Sequence, residues 1–199
     1  MEDIKLFDKY PSTGIEVRDP GLKNYINIRP IFVPRTYGRG AVKKFGKADV
    51  HIVERLIAKL QSPGHKGKKH WRTSEFCTGK TATTTNLVRN TFEIIEKKTN
   101  KNPVEILVRA VENSAPREEV TVVEMGGIRI PKQVDTSPMR RVDISLRWIV
   151  QGTFQATVNK KVRFEESLAN EIIAASNDDP KSFAISKMNE TERQAGASK

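Results

Sequence analysis

Three features of this sequence predict a mainly α fold, a single helical domain of about six helices that carries a protruding two-stranded ribbon. Apolar residues recur at helical spacing in about six separate stretches. Between two β-rich runs stand Gly126 and Gly127, and a tight two-residue turn needs positive φ at its centre. Breaks such as Ser62-Pro63-Gly64 and Ala115-Pro116 separate the helical stretches. The expected organisation is an extended N-terminal segment with a basic arm over residues 1–48, then a helical domain over 49–199 with the ribbon at about 119–135.

Residues 1–34 balance five acids against five bases and have only short apolar pieces, such as Tyr25-Ile26-Asn27-Ile28. They are expected to lie across a surface with little regular structure. From Pro34-Arg35-Thr36-Tyr37-Gly38-Arg39-Gly40 into Lys43-Lys44-Phe45-Gly46-Lys47, bases interleave with Gly, Tyr and Phe. Such an arm can follow phosphates and stack on bases, although composition alone also admits a disordered basic linker. Asp49 is placed to cap a first helix built on Ile52, Val53, Leu56, Ile57 and Leu60, which Ser62-Pro63-Gly64 ends.

A second helix is expected from about Thr81 to Thr99, with Leu87, Val88, Thr91, Phe92 and Ile95 on one stripe. Asn102-Pro103-Val104-Glu105 opens a third: a cap residue, proline at the first position, glutamate at the third. Its core face is Val104, Leu107, Val108 and Val111. In the hairpin, the glycine turn sets Met125 opposite Ile128, Glu124 opposite Arg129 and Val123 opposite Ile130. Pro131 then belongs on an edge, because it cannot donate to a ladder. A lone ribbon is marginal in water, so it must lean on another element.

Ser137-Pro138 starts the next helix. Its wheel puts Val142, Leu146, Ile149 and Val150 on a core face. Arg140, Arg141, Arg147 and Trp148 fall on the other face, with Ile144 among them. Ribbon and helix together are expected to present a cationic surface. After Lys160-Lys161-Val162-Arg163, a fifth helix has Glu165 and Glu166 in its first turn and Leu168, Ile172 and Ile173 as its apolar set. Asp179-Pro180 is expected to open the last, through Phe183, Ile185 and Met188.

The formal charge is +11, with a pI of about 9.8, and its placement says more than its size. Residues 35–80 hold twelve bases against three acids, and residues 117–163 hold nine against five. The stretch between them is nearly neutral, and residues 164–199 are acidic overall. A balance of this kind points to a polyanionic partner, nucleic acid first. The polar start MEDIKLFDKY gives no signal peptide, and no apolar run approaches the ~20 residues of a membrane span. The chain is therefore expected to be cytoplasmic.

The candidate RNA-binding residues are Arg35, Arg39, Lys43, Lys44 and Lys47 in the arm, then Lys66, Lys68, Lys69 and Lys80 around the next loop. Arg129 and Lys132 follow in the ribbon, then Arg140, Arg141, Arg147 and Trp148 in the helix after it. Trp148 has an alternative as a packing residue, since large aromatics are mostly buried. His65, His70 and Cys77 do not match a zinc set, so neither metal nor cofactor is expected. Gly79-Lys80-Thr81 lacks the upstream glycine of a phosphate loop, position 74 being Ser, and no strand precedes it. Lys80 still suits an anion at a helix start. Glu118-Glu119 reads as a salt-bridged hairpin base and not an acid/base pair, so no enzymatic role is expected. The alternative is a DNA-binding regulator using the 138–153 helix; a hairpin, where a helix-turn-helix would have a partner helix, stands against it.

Several runs carry a family likeness: Ile52-Val53-Glu54-Arg55-Leu56, Ala110-Val111-Glu112-Asn113-Ser114-Ala115-Pro116-Arg117-Glu118-Glu119, Gly126-Gly127, Ser137-Pro138 with Arg140-Arg141, and Leu168-Ala169-Asn170-Glu171-Ile172-Ile173. Through these the chain resembles the small-subunit ribosomal protein seven family, in its archaeal/eukaryotic-type form. Val17-Arg18-Asp19-Pro20-Gly21-Leu22 is similar to the archaeal-type extension. The resemblance implies a structural protein that binds the 3′ major domain of small-subunit rRNA and nucleates assembly of the subunit head. It also implies a place near the exit-site tRNA and the mRNA exit, with small-subunit proteins nine and eleven as neighbours.

Overall fold

The computed structural model describes residues 4–66, 69–70 and 79–198. Strands β1 (Lys5–Leu6) and β2 (Tyr10–Pro11) pair antiparallel at the start, and two 3-10 turns, Arg39–Ala41 and Gly46–Asp49, shape the arm. Helix α1 (Ile52–Leu60), the short pair β3 (His65–Lys66) and β4 (Lys69–His70), α2 (Thr81–Thr99) and α3 (Pro103–Asn113) follow. The ribbon is β5 (Glu118–Met125) with β6 (Ile128–Asp135), and α4 (Pro138–Thr157), α5 (Phe164–Ser176) and α6 (Phe183–Gly196) complete the chain. Among the described residues this is the expected mainly α fold of six helices with a hairpin.

The local start signals behave as expected at α3 and α4. Asn102 accepts the Val104 N–H at 3.0 Å, with Pro103 in the first turn; Ser137 is the cap position of α4 ahead of Pro138, although its hydroxyl makes no capping bond. Helix α2 stops at Asn100, whose φ of 53° is left-handed. The ribbon has the register read from sequence, Met125 to Ile128, Glu124 to Arg129 and Val123 to Ile130. Gly126 and Gly127, at φ 60° and 81°, close it. Its base leans on α6, where Glu192 accepts the Arg117 N–H at 2.8 Å.

Two helix starts differ from expectation. Asp49 lies in the 3-10 turn, Val50 is extended, and the cap of α1 is the buried His51, whose Nδ1 accepts the Val53 N–H at 3.2 Å. The helix begins later because Ile52 N–H is drawn to the Asn27 carbonyl at 2.9 Å. Likewise α6 begins after Ser182, beyond Asp179-Pro180. Glu171 of α5 accepts from the Ser182 hydroxyl at 2.8 Å and from Ala184 N–H at 3.0 Å, which fixes the first turn there. Helices α4 and α6 pass so closely that a Cβ on Gly152 would lie 2.6 Å from that of Phe183.

The core draws on α1 to α6, with Leu56, Phe92, Leu107, Leu146, Ile149, Leu168 and Ile172 wholly buried. Four residues of the N-terminal segment join it: Leu6, Tyr10, Leu22 and Ile26. The segment is irregular, as expected, but it is inserted into the body and does not merely cross its surface. Burial holds the His51 imidazole neutral, with its pKa pushed down to about 4. In the unfolded chain it titrates near 6.5, so folding stability should be full above that pH and decline as pH falls towards 4. His51→Asn retains a capping acceptor and should flatten that decline in urea midpoints; an unchanged slope would refute the role.

Candidate nucleic-acid interface

The arm presents Arg35, Arg39, Lys43 and Lys44 to solvent. Between them Tyr37 and Phe45 are 76% and 67% exposed, and both sit at left-handed φ, 54° and 61°. Few aromatic residues adopt that conformation. A cation lies against each ring: the Arg35 guanidinium is 4.5 Å from the Tyr37 centroid and the Lys44 ammonium 5.4 Å from that of Phe45. Exposed rings beside cations are a chemistry for stacking on bases and neutralising phosphates.

The arm is fastened to the helices by polar side chains. Thr36 donates both its N–H and its hydroxyl to Glu54 Oε1, each at 2.8 Å. Lys47 pairs with Asp143 of α4, and the buried Arg55 donates to the same carboxylate at 3.1 Å and to the Tyr25 carbonyl at 2.9 Å. Desolvation pushes the Asp143 carboxyl up, but Lys47 and Arg55 outweigh it and hold the group below its usual range. Burial pushes the Lys59 ammonium down; Asp143 opposes that, while Lys47 and Arg147 add to it. Lys59 of α1 thus feels the charges of Lys47 in the arm and of Asp143, Arg147 and Arg55. Cations of the arm and α1 meet α4 around the Asp143 carboxylate.

Around α4 the helical wheel misassigns two residues. Arg141 is buried, its Nη2 donating to Asp19 at 2.7 Å and its Nε to the Pro116 carbonyl at 3.2 Å. Ile144 is only 5% exposed. The N-terminal segment and the ribbon entry cover Arg141, and a wheel cannot foresee covers from distant sequence. Arg147 is exposed, and Trp148 is half-buried against the core. Arg140 is exposed and chelates Glu119, which raises its pKa. The hairpin base is thus salt-bridged as expected, through Arg140.

The ribbon contributes little positive charge of its own to the cationic surface expected of ribbon and helix together. Residues 118–135 hold four carboxylates and two cations, Arg129 and Lys132. Both cations are exposed, with Arg129 4.0 Å from Glu124. Val122 and Ile128 are 60% and 67% exposed. Lys80 is exposed just before α2. The side chains of Lys66 and Lys69, and the whole of Lys68 and Cys77, lie outside the described residues.

Sequence reasoning missed Lys59, although its position four residues after Arg55 on α1 marks it as part of one helix face. It also missed Arg18, Arg109 and Arg117, which converge with Arg141 around a cavity of about 520 Å³; their meeting is set by packing alone. Among the described residues no group of His, Cys, Asp and Glu could hold a metal ion. Among the described residues no helix is long and apolar enough to cross a membrane.

The family described as ribosomal protein S7p/S5e matches residues 23–199. Among similar curated proteins, one from Nanoarchaeum equitans, called small ribosomal subunit protein uS7, is 47% identical over 192 residues, 96% of this chain and 97% of that protein. A protein of the same name from Archaeoglobus fulgidus is 45% identical over 194 residues, 98% of this chain and 94% of that one.

Proposed function

Because the chain belongs to the ribosomal protein S7p/S5e family, we propose that it is a structural, RNA-binding protein of the small ribosomal subunit. Its target is the 3′ major domain of the small-subunit rRNA, where it nucleates the head, near the exit-site tRNA and mRNA exit and beside proteins nine and eleven. Its role is binding and not catalysis. The observation that carries this reading is the surface where the arm, α1 and α4 meet, with exposed lysines, arginines and two solvent-facing rings.

Binding follows from counterion release: each Lys or Arg that meets a phosphate frees condensed cations, and the shape of a folded RNA junction supplies specificity. Arg35, Arg39, Lys43, Lys44, Lys47 and Arg147 form the principal contact. Lys80, Arg129 and Lys132 make outlying ones. Arg140 serves the interface while held by Glu119, and Trp148 contributes only its exposed edge.

A 3′ major-domain rRNA fragment should bind tightly, with a steep dependence on salt. In Lys43→Glu with Lys44→Glu the affinity should fall about tenfold or more, and the salt slope should shrink by about 1.5 to 2. Filter binding across a salt series reads both quantities. Equal affinity for a scrambled RNA of the same length at physiological salt would overturn the proposal.

A further inference from the structure

Beneath the arm is a cavity of about 430 Å³. It is lined by Gly38, Gly40 and Ala41 of the arm and by Ala58 and Lys59 of α1. We propose that this cavity accepts a single unstacked nucleobase of the bound RNA, an inference that rests on the RNA-binding reading above.

Four observations converge on that occupant. Gly38, Gly40, Ala41 and Ala58 give the lining a stretch with little side-chain bulk, beside Val50, where a planar ring can lie, and the volume exceeds what one base needs. Polar residues line it as well: Lys59, Ser62, the ion-paired Arg55 and Asp143, and Glu54, whose Oε2 is buried and has no hydrogen-bond partner. A base edge offers both donors and acceptors, so it can answer an ammonium and a carboxylate together.

The rim is cationic, with Lys47 lining the cavity and Arg39, Lys43 and Lys44 exposed on the same arm. That gives the base's own phosphates a place outside the cavity, where water and counterions can be displaced. Lastly, Tyr37 stands between two lining residues, Thr36 and Gly38, at left-handed φ with its ring in solvent. Non-glycine residues held in that conformation cluster at ligand sites. A free phosphate would not use the apolar walls, and an uncharged apolar ligand would not use the rim. A nucleotide uses both.

The test uses the full chain, isotopically labelled, titrated with each of the four nucleoside 5′-monophosphates and with ribose 5-phosphate as a base-free control. The nucleotides should shift the Gly38, Gly40, Ala41 and Ala58 amides saturably. Ribose 5-phosphate should bind at least about tenfold more weakly at those amides and act mainly near Lys43 and Lys44. Ala58→Phe, a substitution at an exposed helix position that fills the cavity without changing charge, should abolish the base-dependent shifts. Lys59→Met provides a second variant, expected to weaken them.

Similar binding of ribose 5-phosphate at the cavity amides, or unchanged nucleotide binding in a folded Ala58→Phe, would overturn the proposal. The two readings separate cleanly. If the rRNA fragment binds specifically but no nucleotide enters the cavity, the base pocket is wrong and the RNA-binding reading stands. If the fragment fails to bind specifically, the RNA-binding reading itself is lost.

Discussion

Replacing Arg141 with alanine is expected to cost about 3 kcal/mol of folding stability. The guanidinium joins three distant parts of the chain: α4, Asp19 of the N-terminal segment at 2.7 Å, and the Pro116 carbonyl ahead of the ribbon at 3.2 Å. Its side chain is 10% exposed and that of Asp19 23%. Removing one partner of such a pair leaves the other buried without its counter-charge, which costs about 3–5 kcal/mol when burial is complete. The lower figure applies because Asp19 is partly hydrated and keeps the Gly21 N–H at 2.8 Å. Arg141→Lys should rescue little, since a single ammonium lacks the planar fork that reaches both acceptors.

The same pair makes a signed prediction about pH. Burial pushes the Asp19 carboxyl up, but the hydrogen bonds from Arg141 and Gly21 and the charges of Arg141 and Arg117 outweigh it, so its pKa lies below the usual value. A depressed carboxyl pKa contributes stability that is present above about pH 3.9 and lost as pH falls through the folded value. Urea unfolding of the wild type and Arg141→Ala should therefore differ most near neutrality and converge in acid. A constant gap down to the acid limit would show that Arg141 acts through packing alone.

What the sequence discloses and what it conceals divide along the range of the interactions. The ribbon register was legible because two glycines fix it locally, and α3 and α4 began where a cap and a proline said they would. The exposed cations of the arm were legible as well, since few apolar residues there compete for burial. Arg141 and Ile144 were not, because α4 is packed among α1, α5 and α6, so that even Gln151 and Thr153 are buried. A two-faced wheel assumes one covered side. Nor could sequence place His51 as a cap, since the tie from Ile52 to Asn27 reaches back 25 residues. The meeting of arm, α1 and α4 is of the same kind: Lys47 was legible as a cation of the arm, but its partnership with Arg55 and Asp143 arises only in the fold.

Phe92→Ala should cost about 3–5 kcal/mol, and it should loosen the N-terminal segment before the rest of the molecule. The ring is wholly buried on α2, and among the described residues its two aromatic partners come from the segment. Phe7 meets it at 6.3 Å and 66°, Tyr10 at 5.9 Å and 80°, both edge-to-face. Such pairs add about 0.5–1.5 kcal/mol each beyond area burial, so alanine removes the ring's own burial and the seat of two others. The polar ties that accompany them are weaker. Lys9 to Glu93 at 2.8 Å is half-exposed, and the Tyr10 hydroxyl reaches Glu96 at 3.2 Å. With the ring gone, these ties, the buried Leu6 and the bond from Asn102 to the Pro11 carbonyl at 2.6 Å hold residues 5–11 more weakly. Hydrogen exchange should quicken first at Phe7, whose N–H is bonded to the Phe32 carbonyl at 3.0 Å, and only later in α3 and α5. Phe92→Leu, which keeps the apolar bulk but not the edge-to-face geometry, should lose less, about the worth of the two aromatic pairs. Uniform loosening across all six helices would mean that the segment and the body unfold as one unit. Protection at Phe7 that outlasts the helices would mean that the aromatic trio is not what anchors the segment.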